Sequence, residues 1–354
     1  MIEAALQRAW LRRGSAALAL WPLSVVFAAL VALRQALYRW QLLKPEGLPV
    51  PVVVVGNLIV GGAGKTPTVM AVVKRLQASG YRPGVISRGH GRRHDVAAVM
   101  EVLPATPASD AGDEPLLLRL RLGVPVFVGA DRVAVARAAL SAHPHLDMLV
   151  SDDGLQHLRL PRVAQVVVFD DRGTGNGWLL PAGPLREPLA QRIPPRTVVL
   201  YNATRASTLW PGHLAAKRLA GLVLLADWWA GQAASLSCLA VLARNKTRVT
   251  AAAGVAQPER FFDMLRDAGL EIIALPLPDH HDYATLPWPA DAADVIVTEK
   301  DAVKLRPEVL AVSGATRVWV APLDFSADAA FDAALLALLP PRLTIRTPDG
   351  DTTA

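Results

Sequence analysis

The sequence predicts an α/β fold built on a mostly parallel sheet with helices on both faces. From Pro49 onward, short apolar β-branched runs recur along the chain, and stretches of helical periodicity lie between many of them. The runs are nearly continuous in apolar residues, as expected of strands buried on both faces. A third observation sets the start of the chain apart: Gly14 to Leu33 contains no charged residue.

That first segment reads as a helix. At about 1.5 Å per residue its length approaches the ~30 Å hydrocarbon thickness of a bilayer. Arg8, Arg12 and Arg13 precede it, and Arg34, Arg39 and Lys44 follow, so flanking charge does not orient it. Trp10, Trp21, Tyr38 and Trp40 suit an interface, and Pro22 falls in its first turns. No small-x-small cleavage site follows, which disfavours a secretory signal. A membrane-associated helix, spanning or in-plane, is favoured over a buried soluble one. Residues 1–48 are therefore an expected anchor and linker.

The expected strands are Val52–Val55, Val85–Ser87, Val124–Val128, Met148–Ser151, Val166–Phe169 and Thr197–Tyr201. Leu239–Leu242, Ile272–Leu275, Val295–Thr298 and Val318–Val320 complete the set. Helices are expected over Lys65–Ser79, Glu114–Leu122, Arg132–Ala142, Pro258–Ala268 and Ala329–Leu338. Gly173–Pro195 and Ala203–Gly231 break the rhythm. A boundary near residue 220 divides an expected domain at 49–220 from a smaller α/β domain at 221–354.

Composition agrees with two such domains. The chain has 354 residues, 52% hydrophobic and 19% charged, which excludes a disordered chain. Its 28 prolines and 25 glycines follow no fixed period, which excludes a collagen-like chain. Cys238 is the single cysteine, so no internal disulfide or cysteine-based zinc site is available; it reads as a small buried hydrophobe. A net charge of +6 favours an anionic partner: nucleic acid, a phosphorylated metabolite or anionic lipid. Aromatic residues are only 6% with no stacking-module signature, which argues against nucleic acid.

The run ending at Gly56 is followed by Asn57-Leu-Ile-Val-Gly-Gly-Ala-Gly-Lys-Thr66 and then a helix. Strand, glycine loop and helix in this order form a P-loop. Backbone N–H groups of Gly61, Gly62, Ala63 and Gly64 would face phosphates, with Lys65 on the β- and γ-phosphates and Thr66 toward Mg²⁺. Ile59 stands where the motif usually begins with glycine. Asn245-Lys-Thr-Arg248 lacks the aspartate that reads guanine, so ATP is favoured.

A P-loop enzyme holds Mg²⁺ with an acid at a neighbouring strand end. Two pairs qualify, Asp152-Asp153 and Asp170-Asp171; the polar continuation Gly154-Leu-Gln-His157 favours the first.

Several strings now stand in order: the P-loop through Pro67, Ser87-Arg-Gly-His-Gly-Arg92, Gly112-Asp-Glu-Pro115 and Asp152-Asp-Gly-Leu-Gln-His157. Leu180-Pro-Ala-Gly-Pro-Leu-Arg-Glu-Pro188, Pro278-Asp-His-His281 and Thr298-Glu-Lys-Asp301 follow. After an apolar N-terminal helix, this set resembles the tetraacyldisaccharide 4′-kinase family, the lipid A 4′-kinases of Gram-negative bacteria. The resemblance runs from about Gly14 to Leu305. It implies a P-loop NTPase-like fold and Mg²⁺-dependent transfer of the ATP γ-phosphate to the 4′-hydroxyl of tetraacyldisaccharide 1-phosphate. It also implies work at the cytoplasmic face of the inner membrane, and a P-loop that lacks the first glycine.

The resemblance further implies roles. Asp152 and Asp153 become the magnesium-side acids, and Asp113 the base for the acceptor hydroxyl, with His280 paired to it. Without the resemblance, Asp113 reads as a helix cap worth about 1 kcal/mol. His281 is the adjacent alternative to His280. Arg186 would steady transition-state charge, with Arg172 as its alternative, and Glu187 would help position a cation or hydroxyl. Arg88, Arg92 and Arg93 are candidates for the substrate's own phosphate. The competing function is a membrane-attached P-loop ATPase that drives a protein partner.

Overall fold

The computed structural model describes residues 10–93, 95–244, 248–308, 310 and 316–341. Arg8, the Asn245–Thr247 part of the guanine-reading comparison and the polar C-terminus lie outside these residues.

The apolar segment forms helix α1 (Ser15–Arg39), long and apolar enough to cross a membrane. Leu18, Trp21, Leu23, Val26, Leu30 and Leu33 are exposed along it. Its opposite side is tied to the body. Ser24, buried, donates to the Leu179 carbonyl at 2.9 Å and accepts from the Ala182 N–H at 2.9 Å. Trp10 and Arg13, just before the helix, donate to the Pro181 and Asn176 carbonyls.

The body holds two sheets. Strands β1 (Val52–Gly56), β2 (Pro83–Ser87), β3 (Val99–Glu101), β4 (Val126–Gly129), β5 (Met148–Asp152), β6 (Ala164–Asp170), β7 (Thr197–Asn202) and β8 (His213–Leu219) enter the first. With β14 (Leu323–Ala327), its order is β14-β8-β7-β6-β1-β5-β2-β4-β3. Every pairing from β8 through β4 is parallel, and only the two outermost pairings are antiparallel. The second sheet contains β9 (Val223–Leu224), β10 (Val249–Ala253), β11 (Ile272–Pro276), β12 (Asp294–Thr298) and β13 (Arg317–Ala321), in the order β11-β10-β12-β13-β9.

Alternation along β1 explains the two covered faces. Val53 and Val55 enter a core with Val69, Val72, Leu116 and Leu118 of helices α2 (Lys65–Ala78) and α3 (Asp113–Leu122). Val52 and Val54 enter another with Val133, Val135 and Ala136 of α4 (Arg132–Ala142). Asp131 caps α4 by accepting from the Val133 N–H, a contact worth about 1 kcal/mol. The first core continues into the second sheet through Val295, Val297, Val318 and Val320, so the sheets share apolar packing.

Several expectations change. Leu239–Leu242 is not a strand: it lies in helix α5 (Leu236–Arg244), where Leu239 and Leu242, three apart, bury one face. A four-residue apolar run does not distinguish strand from helix by itself. The strand between β11 and β12 is instead Val249–Ala253, backed by helix α6 (Pro258–Asp267). The stretch 203–231, expected to be irregular, contains β8 and β9. The chain changes sheets between Leu219 and Val223, but residues beyond 220 do not all stay with the second sheet. Strand β14 returns to pair with β8, and helix α8 (Ala329–Leu336) follows it, numbered after α7 (Glu299–Ala302). Cys238 is half-buried rather than fully buried.

Candidate active site

The loop between β1 and α2 curls as its glycines permit. Gly61 and Gly64 have φ of 96° and 83°, in the left-handed region. A Cβ on Gly64 would lie 2.1 Å from Asn202 Nδ2. Asn202, at the end of β7, donates to the Ala63 carbonyl at 3.1 Å. Buried Asn57 closes the loop from within: Nδ2 donates to the Gly61 carbonyl at 3.0 Å, and Oδ1 accepts from Lys65 Nζ at 3.3 Å. The first turn of α2 holds no acid, so the positive end of the helix dipole is left for an anion.

Ile59 has a structural reason. It is buried and bridges to Leu185, while the Val60 N–H donates to the Pro184 carbonyl. The Arg186 N–H in turn donates to the Leu58 carbonyl at 2.7 Å. This short pairing carries Arg186 and Glu187 beside the P-loop.

Asp152 ends β5 and is 3% exposed. Its Oδ2 accepts from Ser87 at 3.0 Å; its Oδ1 is buried with no hydrogen-bond partner among the described residues. Burial, with the charges of Glu114 and Asp153, pushes its carboxyl up to about 7. Asp153 follows at φ 50°, a strained conformation for a non-glycine residue. It accepts from Arg186 at 2.8 Å and lies 3.8 Å from Lys65 Nζ. Burial works to raise its pKa, but Lys65 and Arg186 outweigh it and hold the carboxyl below its usual range.

The other acidic pair is otherwise engaged. Asp170 is clasped by Arg172 through Nε at 2.9 Å and Nη2 at 2.8 Å. Arg172 Nη2 also donates to the Gly62 carbonyl at 3.2 Å, on the outer side of the loop. Asp171 pairs with Arg260. Glu187 Oε1 accepts from Gln156 at 2.8 Å, and Oε2 from Gln35 of α1 at 3.1 Å.

Asp113 opens α3 but does not cap it: Gly112 is the N-cap position, and no side chain bonds there. A Cβ on Gly112 would lie 2.7 Å from the His90 carbonyl, so close backbone contact pins this turn to the loop after β2. The Asp113 carboxylate faces His280 instead, Oδ2 to Nδ1 at 3.0 Å. His280 has φ 61°, also strained. His281 turns elsewhere and accepts from the Tyr283 N–H through Nδ1. Lys304 Nζ is 3.5 Å from the same Asp113 oxygen. Burial works to raise the Asp113 pKa, but the His280 hydrogen bond and the Lys304 charge leave it below the ordinary carboxylate value.

The three substrate-phosphate candidates differ. Arg93 is engaged by Asp95 and Asp110, and Arg92 donates to the Ala97 carbonyl. Arg88, exposed after β2, has no ion pair among the described residues. The sequence reading assigned no role to Gln35, Asn57, Ser87, Gln156, Lys300 or Lys304. A signal was present for Lys300, since Thr298-Glu-Lys-Asp301 stands in the ordered motif set without a role attached.

The arrangement therefore joins a phosphate cradle, an acidic strand end and a carboxylate–imidazole pair along one edge of the first sheet. The family model described as tetraacyldisaccharide-1-P 4′-kinase matches residues 16–340. A tetraacyldisaccharide 4′-kinase of Leptothrix cholodnii is 54% identical over 342 residues, covering 96% of this chain and 97% of that protein. One of Methylibium petroleiphilum is 55% identical over 346 residues, covering 96% of each. A crystal structure of LpxK from Aquifex aeolicus in complex with ATP matches with a TM-score of 0.74 at 26% identity. That match covers 91% of this chain and 99% of the Aquifex chain. With its model matched across nearly the whole sequence, the chain belongs to the tetraacyldisaccharide-1-P 4′-kinase family.

Proposed function

We propose that the protein transfers the γ-phosphoryl group of ATP to the 4′-hydroxyl of tetraacyldisaccharide 1-phosphate, forming the bisphosphorylated lipid A precursor. One juxtaposition carries the reading. Asp152 ends β5 and Asp153 follows it; β5 lies between β1, leading into the P-loop, and β2, whose following loop supports Asp113. Donor phosphates and acceptor hydroxyl thus meet at the carboxyl ends of adjacent parallel strands.

Phosphoryl transfer is mostly positioning and charge neutralisation. Backbone N–H groups from Gly61 to Gly64 and the Lys65 ammonium take the phosphates. Asp113 accepts the proton of the sugar hydroxyl as its oxygen bonds to the γ-phosphorus. The bond from that phosphorus to the bridging oxygen breaks, and ADP leaves. His280 orients the carboxylate. Arg186 neutralises charge on the transferring group, and Glu187 positions a cation or hydroxyl.

Thr66, Asp152, Asp153 and Glu187 would hold Mg²⁺. The fit rests on hard oxygen donors and on Asp152 Oδ1, a buried acceptor without a partner among the described residues. Among the described residues no three acidic, histidine or cysteine side chains close on one point, so part of this set would reach the ion through water. When bound, the ion neutralises phosphate charge.

Arg88 is the most available guanidinium for the lipid's own phosphate, with Arg92 and Arg93 behind it. In this reading α1 holds the enzyme at the cytoplasmic face of the inner membrane. Its exposed apolar side meets the bilayer that retains the four acyl chains of the acceptor. The test is transfer of radiolabelled γ-phosphate from Mg·ATP to tetraacyldisaccharide 1-phosphate in detergent micelles. Wild type labels the lipid; Asp113→Ala lowers transfer by at least about 100-fold. ATP hydrolysis without labelled lipid would favour a partner-driven ATPase instead.

A further inference from the structure

We propose that Lys300 and Lys304 are positioning residues that fix the protonation form of the Asp113–His280 pair: Asp113 as carboxylate, His280 neutral with its proton on Nδ1. The proposal rests on the reading of Asp113 as the base. It gives a role to the turn that follows β12, where Thr298-Glu-Lys-Asp301 continues to Lys304.

The geometry at His280 leaves one tautomer favoured. Nδ1 lies 3.0 Å from Asp113 Oδ2, and Nε2 lies 3.4 Å from Lys300 Nζ. An ammonium only donates, so the nitrogen facing it must accept. A neutral imidazole that accepts at Nε2 carries its proton on Nδ1, which then donates to Asp113. The other tautomer and the imidazolium both present an N–H to a cation. Lys300 is not placed by this contact alone. Asp279 at 3.2 Å and Glu114 at 3.5 Å hold it from two other segments. Burial works against its charge, but Glu114 and Asp279 outweigh that and keep it an ammonium.

Lys304 acts on the other partner. It is 5% exposed in its side chain and lies between Asp113, at 3.5 Å, and Asp301, at 3.2 Å. Asp301 is fully buried and its second oxygen is satisfied: Oδ2 accepts from the Gly254 N–H at 3.1 Å and from Thr298 Oγ1 at 2.7 Å. Its Oδ1 is left to anchor the ammonium. Lys304 also lies 5.2 Å from the centre of the Tyr283 ring. A buried cation beside Asp113 stabilises the carboxylate and resists its protonation.

The charged surroundings agree. His280 faces Asp113, Lys300, Asp279 and the His90 ring, whose centre is 5.7 Å away. Asp113 faces His280 and Lys304, with Lys300 acting on it from farther away and Tyr283 held un-ionised by burial and by Asp301. Glu114 neighbours Asp113 in sequence but spends its charge on Lys300.

The test combines a structural readout with kinetics on the full chain. Nitrogen-15 spectra of histidine-labelled protein, with His280 assigned by His280→Gln, read the tautomer directly. Wild type at neutral pH should show a protonated Nδ1 and a bare Nε2. Lys300→Met should bring protonated Nε2 into view, with kcat/KM falling roughly tenfold more below about pH 7 than above it. Lys300→Arg, which still donates, should restore the wild-type spectrum. Lys304→Met should move the acidic limb of the kcat/KM profile up by about one pH unit, because losing a cation raises the pKa of a neighbouring acid. Protonated Nε2 in the wild type, or losses that do not vary with pH, would overturn the proposal. The wild-type spectrum decides even where a variant does not fold. Full transfer by Asp113→Ala would instead overturn the base reading, which no tautomer result can rescue.

Discussion

In the proposed mechanism, the phosphate side and the base side of the site are built in different ways. On the phosphate side, one continuous segment from Asn57 to Thr66 supplies the cradle, and Asn57 and Lys65 bond to each other within it. On the base side, Asp113 and His280 are 167 residues apart, and the lysines that surround them come from a third segment. The cradle depends chiefly on how the backbone curls. The Asp113–His280 pair exists only while the two sheets keep their relation, through the shared core and through contacts such as Arg121 with Glu299 at 2.7 Å.

Two glycines allow each side to be broken separately. On Gly64 a Cβ would meet Asn202, at a φ that side chains rarely adopt. On Gly254 it would lie 2.8 Å from Asp301 Oδ1 and 3.2 Å from the His281 Cβ. Gly64→Ala should weaken ATP binding by about 100-fold. Gly254→Ala should leave ATP affinity within about threefold yet lower turnover by about 100-fold, since small displacements of reacting groups cost that much. Calorimetric ATP titration beside the transfer assay measures both. Equal loss of affinity in the two variants would show that the sides are one cooperative unit.

The same contrast explains what was legible in the sequence. The cradle was readable because its signal is local: a buried strand, closely spaced glycines, Lys-Thr and a helix. Strands β1, β2 and β4 to β7 of the first sheet were readable because strands covered on both faces are apolar throughout. Val249-Thr-Ala-Ala-Ala253 escaped notice because alanine carries no strand preference; its place in the sheet comes from packing against α6. The return of β14 to the first sheet is a long-range pairing that no local pattern encodes. The tie between the two acidic pairs has a geometric origin, because β5 and β6 both flank β1. What separates them is occupancy: Arg172 closes Asp170, while Asp153 faces Lys65 and Arg186. Likewise, two adjacent histidines are indistinguishable until a left-handed turn points one of them at Asp113.

A smaller effect separates the arginines of the loop after β2, proposed to meet the acceptor's phosphate. Arg93 is paired with Asp95 and Asp110, whereas Arg88 has no ion pair among the described residues. Arg88→Ala should raise the KM for the lipid about tenfold, in line with losing one charge-assisted contact to a phosphate. Arg93→Ala should change it less than about twofold. Initial rates across a lipid dilution series at fixed detergent test this. The reverse order would mean that the acceptor rearranges the loop after β2 on binding.

The smallest effect probes where helix α1 meets the candidate site. Gln35 lies near the end of α1, yet its amide donates to Glu187 beside the P-loop. Glu187 keeps a second donor in Gln156, so losing Gln35 loosens the carboxylate without freeing it. Gln35→Leu should therefore lower turnover on the lipid about threefold and leave ATP affinity unchanged, a fraction of a full charge-assisted hydrogen bond. Helix α1 keeps its other ties through Ser24, so membrane association should not change. Sedimentation with vesicles and turnover, measured on the same preparation, separate the two roles. Lost turnover with membrane binding intact would place the end of the anchor among the parts that position Glu187. Lost binding in proportion to turnover would confine α1 to holding the enzyme at its substrate's surface.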